Sequence, residues 1–205
     1  MDRRTQGSGW DARFAREEYL FGTRPAAFLT SQAHLLPECA SVLCVADGEG
    51  RNSTYLAGLG HRVTAFDASP VGVDKARRLA AAQAVDVEHH VSGIEDWDWS
   101  RSFDAVVAIF VQFAPPGLRE TFFGWMGQAV APGGLILLHG YAPRQVGYGT
   151  GGPPQAENMY TEEMLVRAFT GWEVLRSADY DAEVDEGTGH SGRSALIDFV
   201  ARKPA

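Results

Sequence analysis

The chain has 205 residues, 45% of them hydrophobic and 21% charged, a balance that excludes a disordered tail and suits one well-buried core. A formal net charge of −8 and a pI of about 5.2 set an average field that repels polyanions, so nucleic acid is not an expected partner. No apolar run reaches the roughly 18 residues of a spanning helix. The N-terminal MDRRTQGSGWDARFAREEYLFG has no apolar stretch followed by a cleavage site, so a cytoplasmic location without a membrane anchor is expected.

Cys39 and Cys44 are too few for a disulfide framework, and Cys44 lies in an apolar run as a small buried hydrophobe. The six histidines lack the paired spacing of a zinc site. His89 and His90, being adjacent on a strand, would face opposite sides, and no metal is expected.

Beyond an N-terminal extension, short apolar β-branched runs alternate with segments of helical period. SVLCVA from Ser41, HRVTAF from His61, VEHHV from Val87, FDAVVAIF from Phe103 and GLILLHGY from Gly134 read as strands. Asn52 to Leu59 reads as a helix, and Ser69-Pro70 supplies the cap and first turn of another. A third runs from Pro116 to about Val130 with Leu118, Phe122, Trp125, Met126 and Ala129 on one face. This rhythm gives a doubly wound α/β fold with a mostly parallel, Rossmann-like sheet. After a helix from Thr161 to Phe169, the runs WEVLRSADY and RSALIDFVAR read as an antiparallel hairpin at the C-terminus. The intervening YAPRQVGYGTGGPPQAENMY has no clear period, and a loop of that length is usually functional or disordered.

In open α/β sheets, ligands bind at the carboxyl ends of strands. The turn there after the first strand is Ala46-Asp47-Gly48-Glu49-Gly50-Arg51-Asn52, whose glycines admit close backbone approach while the next helix aims its free N–H groups at the same spot. Asp67 ends the second strand, placed either to accept from both hydroxyls of an adenosine ribose or to cap the next helix, a duty Ser69 can also perform. Ser53 stands where a third glycine of a dinucleotide fingerprint would be. Glycines and acid alone admit either a nicotinamide dinucleotide or another adenosine cofactor.

The segments WDARFAREEYLFGTRP, VLCVADGEGRN, VTAFDAS, VAIFVQF, APGGLILLHGYAP and GYGTGGP together resemble the class I S-adenosylmethionine-dependent methyltransferases, in particular the small tellurite-resistance-type and thiopurine-type enzymes. The resemblance spans nearly the whole chain. It implies a seven-stranded sheet with an antiparallel C-terminal hairpin, one domain over 1–205, and a helical extension, 1–38, covering the cofactor site. It implies S-adenosylmethionine as cofactor, S-adenosylhomocysteine as product and a small-molecule methyl acceptor. The cofactor residues it implies are Asp47, Gly48, Glu49, Gly50, Asn52, Asp67, Ala68, Ile94, Ile109 and Phe110.

Two positions depart from the family pattern. Cys44 stands where an acid usually precedes the glycines, which gives Asp47 either the contact to the cofactor's amino group or only the turn to hold. Gly93 stands where many relatives place an acid for the adenine amino group, leaving that contact to backbone near Ile94 or to Glu95. Methyl transfer from a sulfonium needs alignment and exclusion of water, and no protein nucleophile. His139, Tyr148 and His190 are candidate bases, and Arg24 and Arg193 candidate anion clamps. Tyr148, His190 and Arg193 are the expected acceptor-binding residues, and no catalytic residue is assigned. The Gly-rich segment around Tyr148 reads as a lid or a surface connector. A nicotinamide-dependent oxidoreductase and a catalytically silent S-adenosylmethionine-binding protein are the alternatives.

Overall fold

The computed structural model describes residues 5–187 and 189–205. Among these residues, six α-helices and seven strands follow one another as α1(Thr5–Phe14), α2(Ala27–Gln32), β1(Ser41–Val45), α3(Arg51–Gly58), β2(Arg62–Asp67), α4(Pro70–Ala82), β3(Val87–Val91), β4(Phe103–Ile109), α5(Pro116–Ala129), β5(Val130–Tyr141), α6(Glu162–Ala168), β6(Glu173–Asp185) and β7(Ser191–Arg202). The strands form one seven-stranded sheet in the order β3-β2-β1-β4-β5-β7-β6. The expected α/β fold, mostly parallel with an antiparallel C-terminal hairpin, is the fold observed.

The chain divides into two compact units, one running to Asp98 and including Glu186 and Gly187, the other formed by Trp99–Asp185 and Gly189–Ala205. In the first, β1 and β3 flank β2 in parallel register, Val45 opposite Phe66 and Asp67 opposite Val91. Four of the five β1 residues are buried, consistent with an apolar run covered on both faces. Helix α4 begins as its sequence dictates: the Ser69 hydroxyl accepts from the Gly72 N–H, and Pro70 opens the first turn, where its missing N–H costs nothing.

In the second unit, β5 runs parallel to β4 with His139 opposite Ile109, and antiparallel to β7 with His139 opposite Asp198. The β6–β7 hairpin pairs from Glu173 and Arg202 to Asp185 and Ser191. Helix α5 buries Arg119, Phe122, Phe123, Met126 and Ala129. That face is rotated from the expected one: Trp125 is only half-buried, stacked on Trp99 with ring centroids 6.1 Å apart, and Phe123 takes its place inside. The long segment between β5 and α6 contains two short 3₁₀ turns, Pro143–Gly147 and Ala156–Asn158. Among the described residues, no helix is long and apolar enough to cross a membrane.

Candidate functional site

The turn leaving β1 is built from backbone conformations that favour glycine. Ala46 (φ 48°), Gly48 (φ 61°) and Gly50 (φ 87°) all lie in the left-handed region. The non-glycine Ala46 there is a locally costly conformation, of the kind that clusters at functional turns. At Gly50 a side chain is excluded twice over, by φ and because a Cβ would stand 2.6 Å from the Ala76 Cβ of α4. Close packing of α3 on α4 therefore requires this glycine.

Asp67 fixes the turn from the end of β2. Its Oδ2 accepts from the Gly48 N–H at 2.9 Å and its Oδ1 from the Ser69 N–H at 2.8 Å. Ser69, and not Asp67, caps α4. Each Asp67 oxygen keeps lone-pair capacity, so the carboxylate is oriented before any ligand arrives. Asp47 is held from the other side, its Oδ2 accepting from the Ser53 hydroxyl at 2.5 Å. The serine that replaces a third glycine thus orients the turn's first acid. Desolvation pushes the Asp47 carboxyl up to about 7, against the Ser53 hydrogen bond and with the charge of Asp67 adding to the rise. It pushes Asp67 up to about 6, against the two backbone hydrogen bonds and with Asp11 adding. A cation placed between these acids would favour the charged form of both.

Glu49 and Asn52 direct their side chains to the N-terminal segment. Glu49 pairs with the Lys75 ammonium at 2.5 Å and accepts from the Leu20 N–H at 2.7 Å, both charges almost fully buried. Lys75 completes its donors on the carbonyls of Phe14, Arg16 and Glu18. Asn52 Oδ1 accepts from the Ala26 N–H at 3.0 Å. Arg51 pairs with Glu186, whose other oxygen accepts from Ala27 N–H. These long-range pairings stitch the extension to the glycine turn and leave no mark in local periodicity. Phe14, stacked on Trp10 at 5.3 Å, lies so close to the turn that a Cβ on Gly48 would stand 3.3 Å from its ring. From the same segment, the Asp11 carboxylate accepts from Ser69 Oγ. Ala68 is partly exposed beside Asp67 and Ile94 is buried. The carboxylate of Asp96 comes within 3.6 Å of where a Gly93 Cβ would be.

In the second unit, the carboxyl ends of β4 and β5 carry a compact set of rings. Phe110, at φ 57°, directly follows the partly exposed Ile109 and donates its N–H to the His139 carbonyl. Its ring lies 4.1 Å from His190 and 4.8 Å from both His139 and Tyr141. His139 Nδ1 bonds Asp198 Oδ1 at 2.7 Å, and Asp198 also binds Arg176 and the Tyr180 hydroxyl. Burial alone would raise the Asp198 carboxyl, but His139 and Arg176 outweigh it and hold it below the usual carboxylate range. Gln112 clasps the end of β5 with both ends of its amide, at Tyr141 N–H and carbonyl.

The segment around Tyr148 is anchored from within this unit. Gln145 donates to Thr150 and Gly151 and accepts from the Ala195 N–H, while Gly151 and Gly152 pack on Tyr141 so closely that a Cβ on Gly151 would stand 2.8 Å from its hydroxyl and one on Gly152 2.9 Å from its ring. The Tyr148 hydroxyl donates to Asp181, which also binds Arg144 and Arg193. Tyr148 and Arg193 are thus joined through one exposed carboxylate. These hydrogen bonds, the Tyr148 one first, hold Asp181 far below the usual carboxylate range.

Residues 42–134 match a family model described as a methyltransferase domain. The ubiquinone biosynthesis O-methyltransferase of Xanthomonas axonopodis pv. citri is 35% identical over 102 residues, covering 49% of this chain and 42% of that protein. The chain therefore spans less than half the length of that curated relative. Among solved structures, one from work on conversion of a disulfide bond into a thioacetal group during echinomycin biosynthesis superposes with a TM-score of 0.78 at 19% identity, covering 97% of this chain and 92% of that one. The N-methyltransferase NodS from Bradyrhizobium japonicum WM9, in complex with S-adenosyl-L-homocysteine, superposes with a TM-score of 0.72 at 13% identity, covering 98% and 99%. The chain has the Rossmann-like methyltransferase fold, and its residues 42–134 form the part that matches the methyltransferase domain family.

Proposed function

We propose that the chain is an S-adenosylmethionine-dependent methyltransferase acting on a small-molecule acceptor. The observation that carries this reading is the Asp67 carboxylate, oriented by the N–H groups of Gly48 and Ser69 beside two left-handed glycines. A carboxylate so held presents its remaining lone pairs to a pair of vicinal hydroxyls at no further orientational cost. Asp47 then takes the amino group of the methionine part, Gly48 and Gly50 give backbone access, and Ala68 and Ile94 take the adenine. Asp96, brought over Gly93, supplies the acid that the family pattern places there. Glu49, Asn52 and Lys75 act as positioning residues by holding the extension that covers the turn.

When bound, S-adenosylmethionine supplies an electrophilic methyl group on a sulfonium. The chain's contribution is to bind, orient and exclude water, with the Phe14 ring as a dry cover over the turn. In the second unit, His190 packs on Phe110 and Asp198 fixes His139 at Nδ1. The match over residues 42–134 favours this cofactor over a nicotinamide dinucleotide. Parallel calorimetric titrations with S-adenosylhomocysteine and NADH test the reading: saturable binding of the first alone is expected, and binding of NADH alone overturns it.

A further inference from the structure

Helix α5 carries a charge where its spacing calls for an apolar residue. Arg119 shares the buried face with Phe122, Phe123 and Met126 and is only 7% exposed. Its Nη1 donates to the Glu157 carbonyl, its Nε is buried without a hydrogen-bond partner, and among the described residues no carboxylate pairs with it. The buried Tyr160 lies near enough to feel the guanidinium: burial raises its phenol, and Arg119 draws it back down.

The other buried cations show how unusual this is. Lys75 has Glu49 and three carbonyls, and Arg51 has Glu186. A guanidinium cannot shed its charge by deprotonation, so burying one without a counter-ion is expensive. The start of the same helix adds positive potential. Pro115 at the N-cap offers no side-chain acceptor, and since Pro115 and Pro116 have no N–H and the Arg119 N–H bonds the Pro115 carbonyl, the uncapped donors of the first turn are the N–H groups of the exposed Gly117 and the half-buried Leu118. Helical side chains lean toward the N-terminus, so the Arg119 stem leaves the helix on the side of this first turn. The helix follows the carboxyl end of β4, the edge at which sheets of this kind bind ligands.

We propose that Arg119 and the open start of α5 form a binding site for the carboxylate of a small molecule. The planar fork of a guanidinium matches a carboxylate in two parallel hydrogen bonds, and its Nε edge is the side left for them. The further step, that this carboxylate belongs to the methyl acceptor, rests on the proposed methyl transfer. The site itself does not.

The test uses the full chain, with sodium benzoate and inorganic phosphate as probes at constant ionic strength and S-adenosylhomocysteine titrated in parallel. Wild type should bind benzoate saturably and more tightly than phosphate. Arg119→Met should weaken benzoate binding roughly tenfold or more, the scale of a charge-assisted pair, with S-adenosylhomocysteine affinity unchanged. Arg119→Lys keeps the charge without the fork, and should also lose benzoate affinity; it decides the matter where Arg119→Met does not fold. Wild type that binds no benzoate, phosphate that binds more tightly than benzoate, or an Arg119→Lys protein with wild-type benzoate affinity overturns the proposal. Because the cofactor titration is separate, loss of the carboxylate site leaves the methyltransferase reading standing, and the reverse holds too.

Discussion

The turn after β1 and the segment after β5 both follow strand ends and both are glycine-rich, yet they are held in opposite ways. Around Gly48 and Gly50, buried groups from three separate stretches converge: Asp67, Ser53 and the Glu49–Lys75 pair that clamps the extension. Around Gly149 and Gly151, the Gln145 amide is buried, but Tyr148, Arg144 and Arg193 meet on the exposed Asp181. Desolvated pairs are costly to break, whereas exposed ones are screened and contribute little. The first region is therefore fixed before a ligand arrives, and the second has a rim that can rearrange at small cost.

Breaking the buried clamp should have the largest effect. Lys75→Ala leaves Glu49 charged and unpaired, and should lower stability by about 3–5 kcal/mol in urea unfolding. A loss below 1 kcal/mol would remove the distinction between the two regions. Gly50→Ala comes next, because the added Cβ meets Ala76 and the residue must keep φ 87°. A cost of about 2–4 kcal/mol is expected from overpacking and left-handed strain together. Asp67→Ala should weaken S-adenosylhomocysteine binding by about 1.5–3 kcal/mol, the range of charged hydrogen bonds, with calorimetry as the readout.

A smaller effect, sharpening the same contrast, comes from pH. Asp47 and Asp67 titrate at about 7 and about 6 in the folded chain and near 3.9 when unfolded. Between those values the folded state binds more protons than the unfolded state, so the contribution of these groups to stability falls as pH rises from about 4 to about 7. A bound ammonium favours both carboxylates charged, so affinity for S-adenosylhomocysteine should rise over pH 5.5–7.5. Melting curves with and without this ligand across that range read both trends. Asp181→Asn should do least: its partners are exposed, and the melting temperature and S-adenosylhomocysteine affinity should stay at wild-type values.

The sequence discloses elements whose residues repeat locally. The apolar runs at Ser41, His61 and Phe103 become β1, β2 and β4, and Ser69-Pro70 opens α4, since cap and strand chemistry act over a few residues. The glycine turn and Asp67 were legible for the same reason, 19 residues apart at two strand ends. The destinations of Glu49 and Asn52 were not legible, because Leu20, Lys75 and Ala26 reach them only through tertiary folding. The link between Tyr148 and Arg193 through Asp181 was not legible either, because the pairing of β6 with β7 that brings Asp181 to Arg193 has no local signature. Arg119 could have been noticed from its place three residues before Phe122 on the apolar stripe, where a charge is out of pattern.

The most direct measurement of the central claim is hydrogen exchange with and without saturating S-adenosylhomocysteine. A binding turn organised by Asp67 predicts slowed exchange in 46–53, 67–69 and the covering segment 10–22, with 143–153 unchanged. Slowed exchange confined to 143–153, or none in 46–53 under conditions where calorimetry shows the ligand bound, would contradict the account.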